Sequence, residues 1–571
     1  MYAGNQLIQL LQKQHEARGN SGLFQTGIFT VLWRAKVGSF PHPDGETIIS
    51  AGEPCGAWRA SYGRPEDKRN VGENLKQLRE LPLNGYIPGS AIRGLVRSWA
   101  KQRPEIQQRM RELLGYQQDN TISAGKIEFL DAWPKEPTKL TLDIVNPQEP
   151  FQVFHEGQST PLSFYAFGDG ENAIELTVAI RGIPGKANAA EVAEVWEWVQ
   201  QALTLYGVGS RTASGYGAIA SPDISKPTLD SNYPVKTFNF SLYSQGCYGA
   251  DPPCKDNDYR GQVELRPSHW RGWLRSWVLR FLLGVMSERD AKTTLGELFG
   301  VLEPDSCKGC VRSQMIKEET WGARSANQPY FYTWKGKLQV SAPKDILNKI
   351  ILPIIRFAVM VGGLGRGWRR PLHIFVMNNG RDAARGTYLT LTHPVKNPDT
   401  KRIQNRLYGL PLNESNWTTA YQDWLNAVQL QWPNRFSPGQ NPKAEVFSPT
   451  TCAIYILPDP QEEPVDKEDQ QWSITQPLKT RGCGMDLIYQ PKYKRKIDVG
   501  GDAGNDSAHC SWASIKRVNI SNKIAGCECQ EVVCLFAGGI APNSRELRAD
   551  FLRDLGKITN AVHLFGLQPS P

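Results

Sequence analysis

No run of this 571-residue sequence is long and apolar enough to span a membrane: the longest, at residues 277–286 and 350–364, are broken by Arg280 and Arg356. The opening residues lack the basic segment and unbroken apolar stretch of a secretory signal, so no export is expected. Cysteine is scarce. The eleven present, an odd number at irregular spacing, make no disulfide framework and read as reduced thiols of a cytoplasmic chain. Charge of one sign is not abundant either: 66 Lys and Arg against 57 Asp and Glu leave +9, which permits a polyanionic partner without requiring one. There is no nucleotide P-loop of the form G-x-x-x-x-G-K-[ST]. Nor is there a constellation of acid, base and metal ligands in either half, which argues against a catalytic chain.

What the sequence does have is a pair of repeated features. Residues 206–217 read Y-G-V-G-S-R-T-A-S-G-Y-G after a helical segment, 191–205, that Gly207 is placed to cap. Gly207 and Gly209 remove side chains that would hold a ligand off the backbone, while Ser210, Arg211, Thr212, Ser214 and Tyr216 offer polar groups and a ring, a composition that suits phosphate. A second such loop, G-G-L-G-R-G-W-R-R at 362–370, contributes Gly363, Gly365, Arg366, Arg369 and Arg370.

Upstream of each loop lies an arginine helix. Ser90, Arg93, Gly94, Arg97, Ser98 and Trp99 recur as Ser268, Arg271, Gly272, Arg275, Ser276 and Trp277 at a constant offset of 178 residues. Four-residue spacing puts the two arginines of each copy on one helix face, near an N-terminus that favours anions, with Ser90 expected as N-cap. Gly94 weakens its helix by about 1 kcal/mol relative to Ala, so close approach of another backbone is expected there. Two solvated arginines on a surface helix is the blander alternative. Strand-like segments flank each copy, predicting an α+β chain of tandem RRM or ferredoxin-like βαββαβ units with long insertions, divided at the Pro- and Ser-containing linker 222–234 into domains 1–232 and 233–571. Leu7, Ile8, Leu10 and Leu11 are expected on the apolar side of a short N-terminal helix. A basic stretch at 489–498 and an acidic loop at 458–471 mark the last third; no third arginine helix is found there, but a strand at 534–538 and a helix at 544–555 are expected to complete a second ferredoxin-like subdomain of 233–571.

Together these motifs resemble the RAMP superfamily of CRISPR effector proteins. Residues 86–100, L-T-L-D-I-V-N-P at 140–147 and the first glycine loop look like the sixth subunit of the type III-B (Cmr) complex. The second copy, with L-F-G at 298–300 and the second glycine loop, looks like the first Cmr subunit, so the chain resembles a fusion of the two. Gln148, where the sixth-subunit family commonly has histidine, and Trp368, within the second loop's arginine run, depart from the pattern. The resemblance implies an RNA-binding, non-catalytic subunit without cofactor, whose partners are CRISPR guide RNA, single-stranded target RNA and other type III effector subunits. It also implies a hairpin thumb, for which residues 38–85 are the candidate.

Other chemistry is conceivable. By the same resemblance His42 as a general base would make a guide-processing endoribonuclease, but it has no identifiable catalytic partner; Asp44 or Asp67 would make a metal-dependent target cutter, which the subunits this chain resembles generally are not. Cys247, Cys254, Cys307 and Cys310 supply enough thiolates for structural zinc, although the upstream pair lies outside the usual spacing. Arginines gripping an acidic protein surface would be a non-RNA use of the same residues. If the repeated arginines hold phosphate, replacing either pair should weaken RNA binding without unfolding the protein.

Overall fold

The computed structural model describes residues 3–35, 39–41, 48–50, 86–101, 103–118, 121–136, 140–145, 153–154, 162–168, 170, 172–209, 211–220, 233–244, 246–247, 263–301, 307–321, 331–376, 382–397, 402–439, 444–457, 482–501, 511–519, 529–538 and 545–569. The chain divides into two units. One comprises Met1–Asn146, Pro161–Asp230 and Gly249–Gln262; the other comprises Pro147–Thr160, Ser231–Tyr248 and Val263–Pro571.

In the first unit, α1 (Ala3–Ala17) precedes β1 (Phe24–Val31), α2 (Gly89–Ala100), α3 (Gln107–Leu114), β2 (Ile127–Phe129), β3 (Ile174–Gly182), α4 (Ala189–Tyr206) and β4 (Ile219–Ala220). The strands pair in the order β4-β1-β3-β2, all antiparallel, which is the order of a βαββαβ fold. α2 and α4 cover the sheet through Ile92, Val96, Trp99, Val195, Val199 and Leu203, all buried against Phe29, Val31, Leu176 and Val178. α4 starts on a capping box: Asn188 Oδ1 accepts from Glu191 N at 2.9 Å and Asn188 N donates to Glu191 Oε2 at 3.1 Å. It ends at Gly207, whose φ of +69° lets its N–H reach Leu203 O. α1 departs from its expected face. Ile8 is buried against Phe24 and Ala179, whereas Leu7 and Leu10 are 54% and 58% exposed, because the helix seats on the sheet along a narrow line only.

The second unit repeats the pattern twice. Its first module runs β5 (Val235–Ser244), α5 (Pro267–Leu282), α6 (Glu288–Phe299), β6 (Arg312–Trp321), β7 (Tyr332–Ser341), α7 (Leu352–Val361), β8 (Thr387–Lys396) and β9 (Ile403–Leu407), in sheet order β6-β7-β5-β8-β9. A π-helical stretch, Ile346–Ile351, enters α7 at Pro353, whose missing N–H forbids a regular α-helical ladder there. After α8 (Glu414–Gln431) comes the second module: β10 (Cys452–Leu457), α9 (Cys483–Ile488), β11 (Ala513–Asn519), β12 (Cys529–Phe536), α10 (Leu547–Gly556) and β13 (Val562–Gly566), in order β11-β12-β10-β13. Ignoring the extra edge strand β9, both sheets have the strand order 2-3-1-4. The fold is therefore of the expected α+β class, built of repeated ferredoxin-like sheets. Its last copy has a six-residue α9 and no arginine motif, which is why sequence comparison finds no third repeat. One core runs through both modules, from Phe238 and Trp277 to Ile454 and Phe536.

Candidate nucleic-acid interface

The arginine helices are the first place to look. Arg93 donates to Leu114 O, and Arg97 donates to Leu114 O at 2.9 Å and to Gly115 O. In the second copy Arg271 donates to Phe299 O and to Val311 O (3.3 Å), and Arg275 to Gly300 O at 3.1 Å. Each pair thus grips the C-terminal carbonyls of the following helix, α3 or α6, where four carbonyls lack intrahelical partners and the dipole favours cations. Partial burial, with Arg93 alongside, lowers the pKa of Arg97 from its ordinary value. The sequence carried a signal for this fixture: E-L-L-G at 112–115 and E-L-F-G at 297–300 end the gripped helices. Their offset is 185 rather than 178, so alignment at a single offset misses them. Gly115 and Gly300 close both with positive φ, +74° and +87°.

Ser90 is not the N-cap. α2 begins at Gly89, whose N–H donates to Asp131 Oδ1 at 2.8 Å, leaving Ser90 exposed one position inside the helix. Ser268 sits likewise inside α5, where His269 Nδ1 accepts from Arg266 N at 3.0 Å. Gly94 and Gly272 face open space: a Cβ on either would meet nothing within 4 Å. No backbone of the chain approaches them in the described structure, contrary to the expectation for Gly94.

The first glycine loop closes on itself. Val208 N–H donates to Gly217 O (2.8 Å) and Gly217 N–H to Arg34 O (2.7 Å). A Cβ on Gly207 would lie 2.5 Å from Gly217 O, and one on Gly217 only 1.9 Å from Val208 O, so these glycines serve the loop's own closure. Tyr216 is fully buried with its ring centroid 4.7 Å from that of Trp33, which removes it from any base-stacking role in this conformation. Gly209 is exposed; Arg211, in left-handed backbone at φ +59°, Thr212 and Ser214 are half-buried around a single 3₁₀ turn. Ser210 lies outside the described residues.

The second loop is used differently. Arg369 is buried and ion-paired to Glu445, which also accepts from Arg280 of α5 at 2.9 Å. Arg370 donates to Ala513 O (2.6 Å) and Ser511 Oγ (3.0 Å) of the last module, and Ile515 N–H returns to Arg369 O (2.9 Å). Both arginines therefore join two ferredoxin-like modules, a use within the chain beside the RNA role expected of them. Gly363 and Gly365 are packed against Thr387 and against Ser244 and Cys247. Arg366 stays exposed at the tip.

With that geometry in view, comparison with known proteins gives three findings. Residues 45–220 match the model of the RAMP superfamily. That stretch is similar to the RAMP superfamily. No curated protein matches it. Among solved structures it is similar to the crystal structure of Cmr6 from Pyrococcus furiosus, at 18% identity over 35% of this chain and 97% of that one. The TM-score is 0.19.

Of the thumb candidate 38–85, which the RAMP-superfamily match overlaps from residue 45, Ser39–Pro41 and Ile48–Ser50 are described and pair antiparallel; the rest lies outside the described residues. His42, Asp44 and Asp67 fall there, as do Gln148, Cys254 and the acidic loop 458–471. Among the described residues no group of three or more His, Cys, Asp and Glu side chains is placed to hold a metal. Cys247 is enclosed beside Gly365, and burial pushes its thiol up to about 12. Cys307 is exposed and Cys310 half-buried. Among the described residues no helix is long and apolar enough to cross a membrane.

Proposed function

We propose that this chain is a non-catalytic RNA-binding subunit of a CRISPR type III effector ribonucleoprotein. In this reading it holds the 3′ part of the guide RNA and the adjacent target RNA, with residues 1–232 and 233–571 as counterparts of the sixth and first Cmr subunits. One observation carries the reading. In both copies a helical glycine stands in open space between two arginines anchored to backbone carbonyls. Such a glycine costs helix stability and meets nothing among the described residues, which supports a use toward something that approaches from outside. A phosphate backbone fits: the half-buried guanidiniums keep a fixed positive charge beside a surface with no Cβ in the way, and such contacts are blind to sequence, leaving guide bases free to pair. The RAMP-superfamily match over 45–220 and the three ferredoxin-like sheets support the same reading.

The decisive measurement is the affinity of the full chain for labelled single-stranded RNA across a salt series. A log K that falls steeply with log salt, alike for unrelated sequences, is expected, with the RNA recovered uncut. Absence of binding at low salt, or affinity confined to one sequence, would overturn the proposal.

A further inference from the structure

The basic stretch 489–498 has no part in the site described so far, yet the fold brings it to the second glycine loop. After α9 the chain turns tightly: Lys496 N–H reaches Tyr493 O (3.2 Å), and Gly501 N–H reaches Lys496 O (2.8 Å). Tyr493 anchors the turn. It is fully buried, its hydroxyl donates to Asp554 Oδ2 at 2.6 Å, and its ring meets Phe551 edge-on. Lys494, Arg495, Lys496 and Ile497 are left exposed.

The charges on this turn are not self-compensated. Asp550 and Asp554 are taken up by Lys492 at 3.3 and 3.2 Å, and the charge of Asp498 acts on Arg548, which stacks on Trp512. Among the described residues no carboxylate lies within salt-bridge distance of Lys494, Arg495 or Lys496. A helix dipole does not account for them, since α9 ends at Ile488 and its field fades within a turn. Arg495 is held at φ +57°, a left-handed conformation that glycine adopts freely and arginine does not. A purely structural turn would be served better by glycine there.

Two contacts tie the turn to the end of the second glycine loop. Arg370 reaches Gly500 O (3.5 Å) and Ser511 Oγ (3.0 Å), and Ser511 Oγ donates in turn to Val499 O (2.6 Å). On the other flank Tyr489 packs edge-on against His373, two residues beyond the loop's Pro371, while Lys494 lies 5.6 Å from the centroid of the Tyr489 ring. From this we infer that the turn carrying Lys494, Arg495 and Lys496 is a second phosphate-binding subsite, taking the backbone of a single-stranded RNA that continues from the glycine loop onto the last module. The inference rests on the RNA-binding reading above and extends it to a segment with no arginine helix.

The test uses the full chain, a labelled single-stranded RNA of mixed sequence, and polyglutamate as a second probe. Arg495→Gly keeps the left-handed turn while deleting the charge, so it should fold at least as well as the parent and lower the salt slope by about 0.7. Lys494→Ala/Arg495→Gly/Lys496→Ala should lower it by about 2 and weaken binding roughly tenfold or more near 0.1 M salt. If the parent binds RNA and both variants match its slope, this inference is wrong while the RNA-binding reading survives. If the parent binds no RNA, both fall together. A triple variant that loses polyglutamate but keeps RNA assigns the turn to an acidic protein partner and overturns the subsite.

Discussion

The two glycine loops leave similar helix ends and meet different fates. The first is closed by its own backbone, Val208 on Gly217 and Gly217 on Arg34, and keeps Arg211 at its surface. The second gives up Arg369 and Arg370 to the module beyond it and, of its three arginines, keeps Arg366 exposed. A loop with a second ferredoxin-like module beside it inside one core is recruited to hold that module. The arginine helices show the converse: their grip on the next helix's carbonyls is the same in both copies, so recurrence at fixed spacing records a structural fixture as well as a surface. A repeated arginine is therefore not evidence for a ligand until its hydrogen bonds have been placed.

The sharpest way to break this comparison is at Glu445. It is fully buried between Arg280 and Arg369, and no counterpart is found among the described residues of the first unit. Glu445→Ala would strand two buried guanidiniums, and the second unit should lose about 3–5 kcal/mol in urea unfolding. A loss below about 1 kcal/mol would mean that the arginines find other partners and that the joint does not depend on the triad. The arginine pairs come next. Arg93→Ala/Arg97→Ala and Arg271→Ala/Arg275→Ala each remove charge-assisted bonds to helix-end carbonyls, so each should cost roughly 2–4 kcal/mol in the unit that carries it. Such a cost in stability would come in addition to the expected fall in RNA affinity. Unchanged melting of either double variant would return the arginines to the surface-only reading.

A pH series sharpens the contrast further. Lys516 of β11 is buried at the same joint, donating to Leu389 O at 2.8 Å and to Val359 O, and desolvation pulls its pKa down to about 7. Between about pH 7 and its unfolded value near 10.4 the unfolded chain binds the extra proton, so stability rises with pH across that window and the favourable difference is lost below it. From pH 7 to pH 9 the gain should be about 2 kcal/mol, and Lys516→Met should flatten it, whatever the absolute cost of leaving two carbonyls unpaired. An equal slope in the variant would place the titration elsewhere.

How far the sequence could be read follows from the range of the forces involved. Strands and helices with a clean apolar face, such as β3 and α4, are local and were legible to within a few residues. So was the βαββαβ order, because the arginine helix recurs in sequence. The last module was legible only in its final central strand and helix, since its α9 is six residues long and the rest of its sheet is recognisable only through long-range pairing such as Cys452 with Phe536. At the site, composition indicated which arginines matter without indicating what they touch. Glu445 sits in a stretch with no pattern of its own, and its role exists only once Arg280 and Arg369 converge on it from 165 and 76 residues away. Asp131 likewise replaces Ser90 as the cap of α2 from 42 residues past its partner Gly89.

The smallest expected effect separates fixture from function most cleanly. Gly94 and Gly272 are exposed within α2 and α5, have ordinary helical neighbours, and leave a Cβ nothing to strike within 4 Å. Alanine at either position should therefore stabilise its unit by about 0.5–1 kcal/mol, because it restricts the unfolded chain and favours the helix without touching the folded contacts. If the space above the glycine is where an RNA backbone lies against the helix, the same methyl group should weaken RNA binding while leaving the salt slope intact, since no charge has been removed. Stability and affinity then move in opposite directions in both copies. A variant more stable and equally tight would show that the glycine keeps nothing at bay. If Gly94→Ala weakens RNA and Gly272→Ala does not, only the first copy presents its helix to RNA, and the second copy's contact must come through Arg366 and the segments beside it.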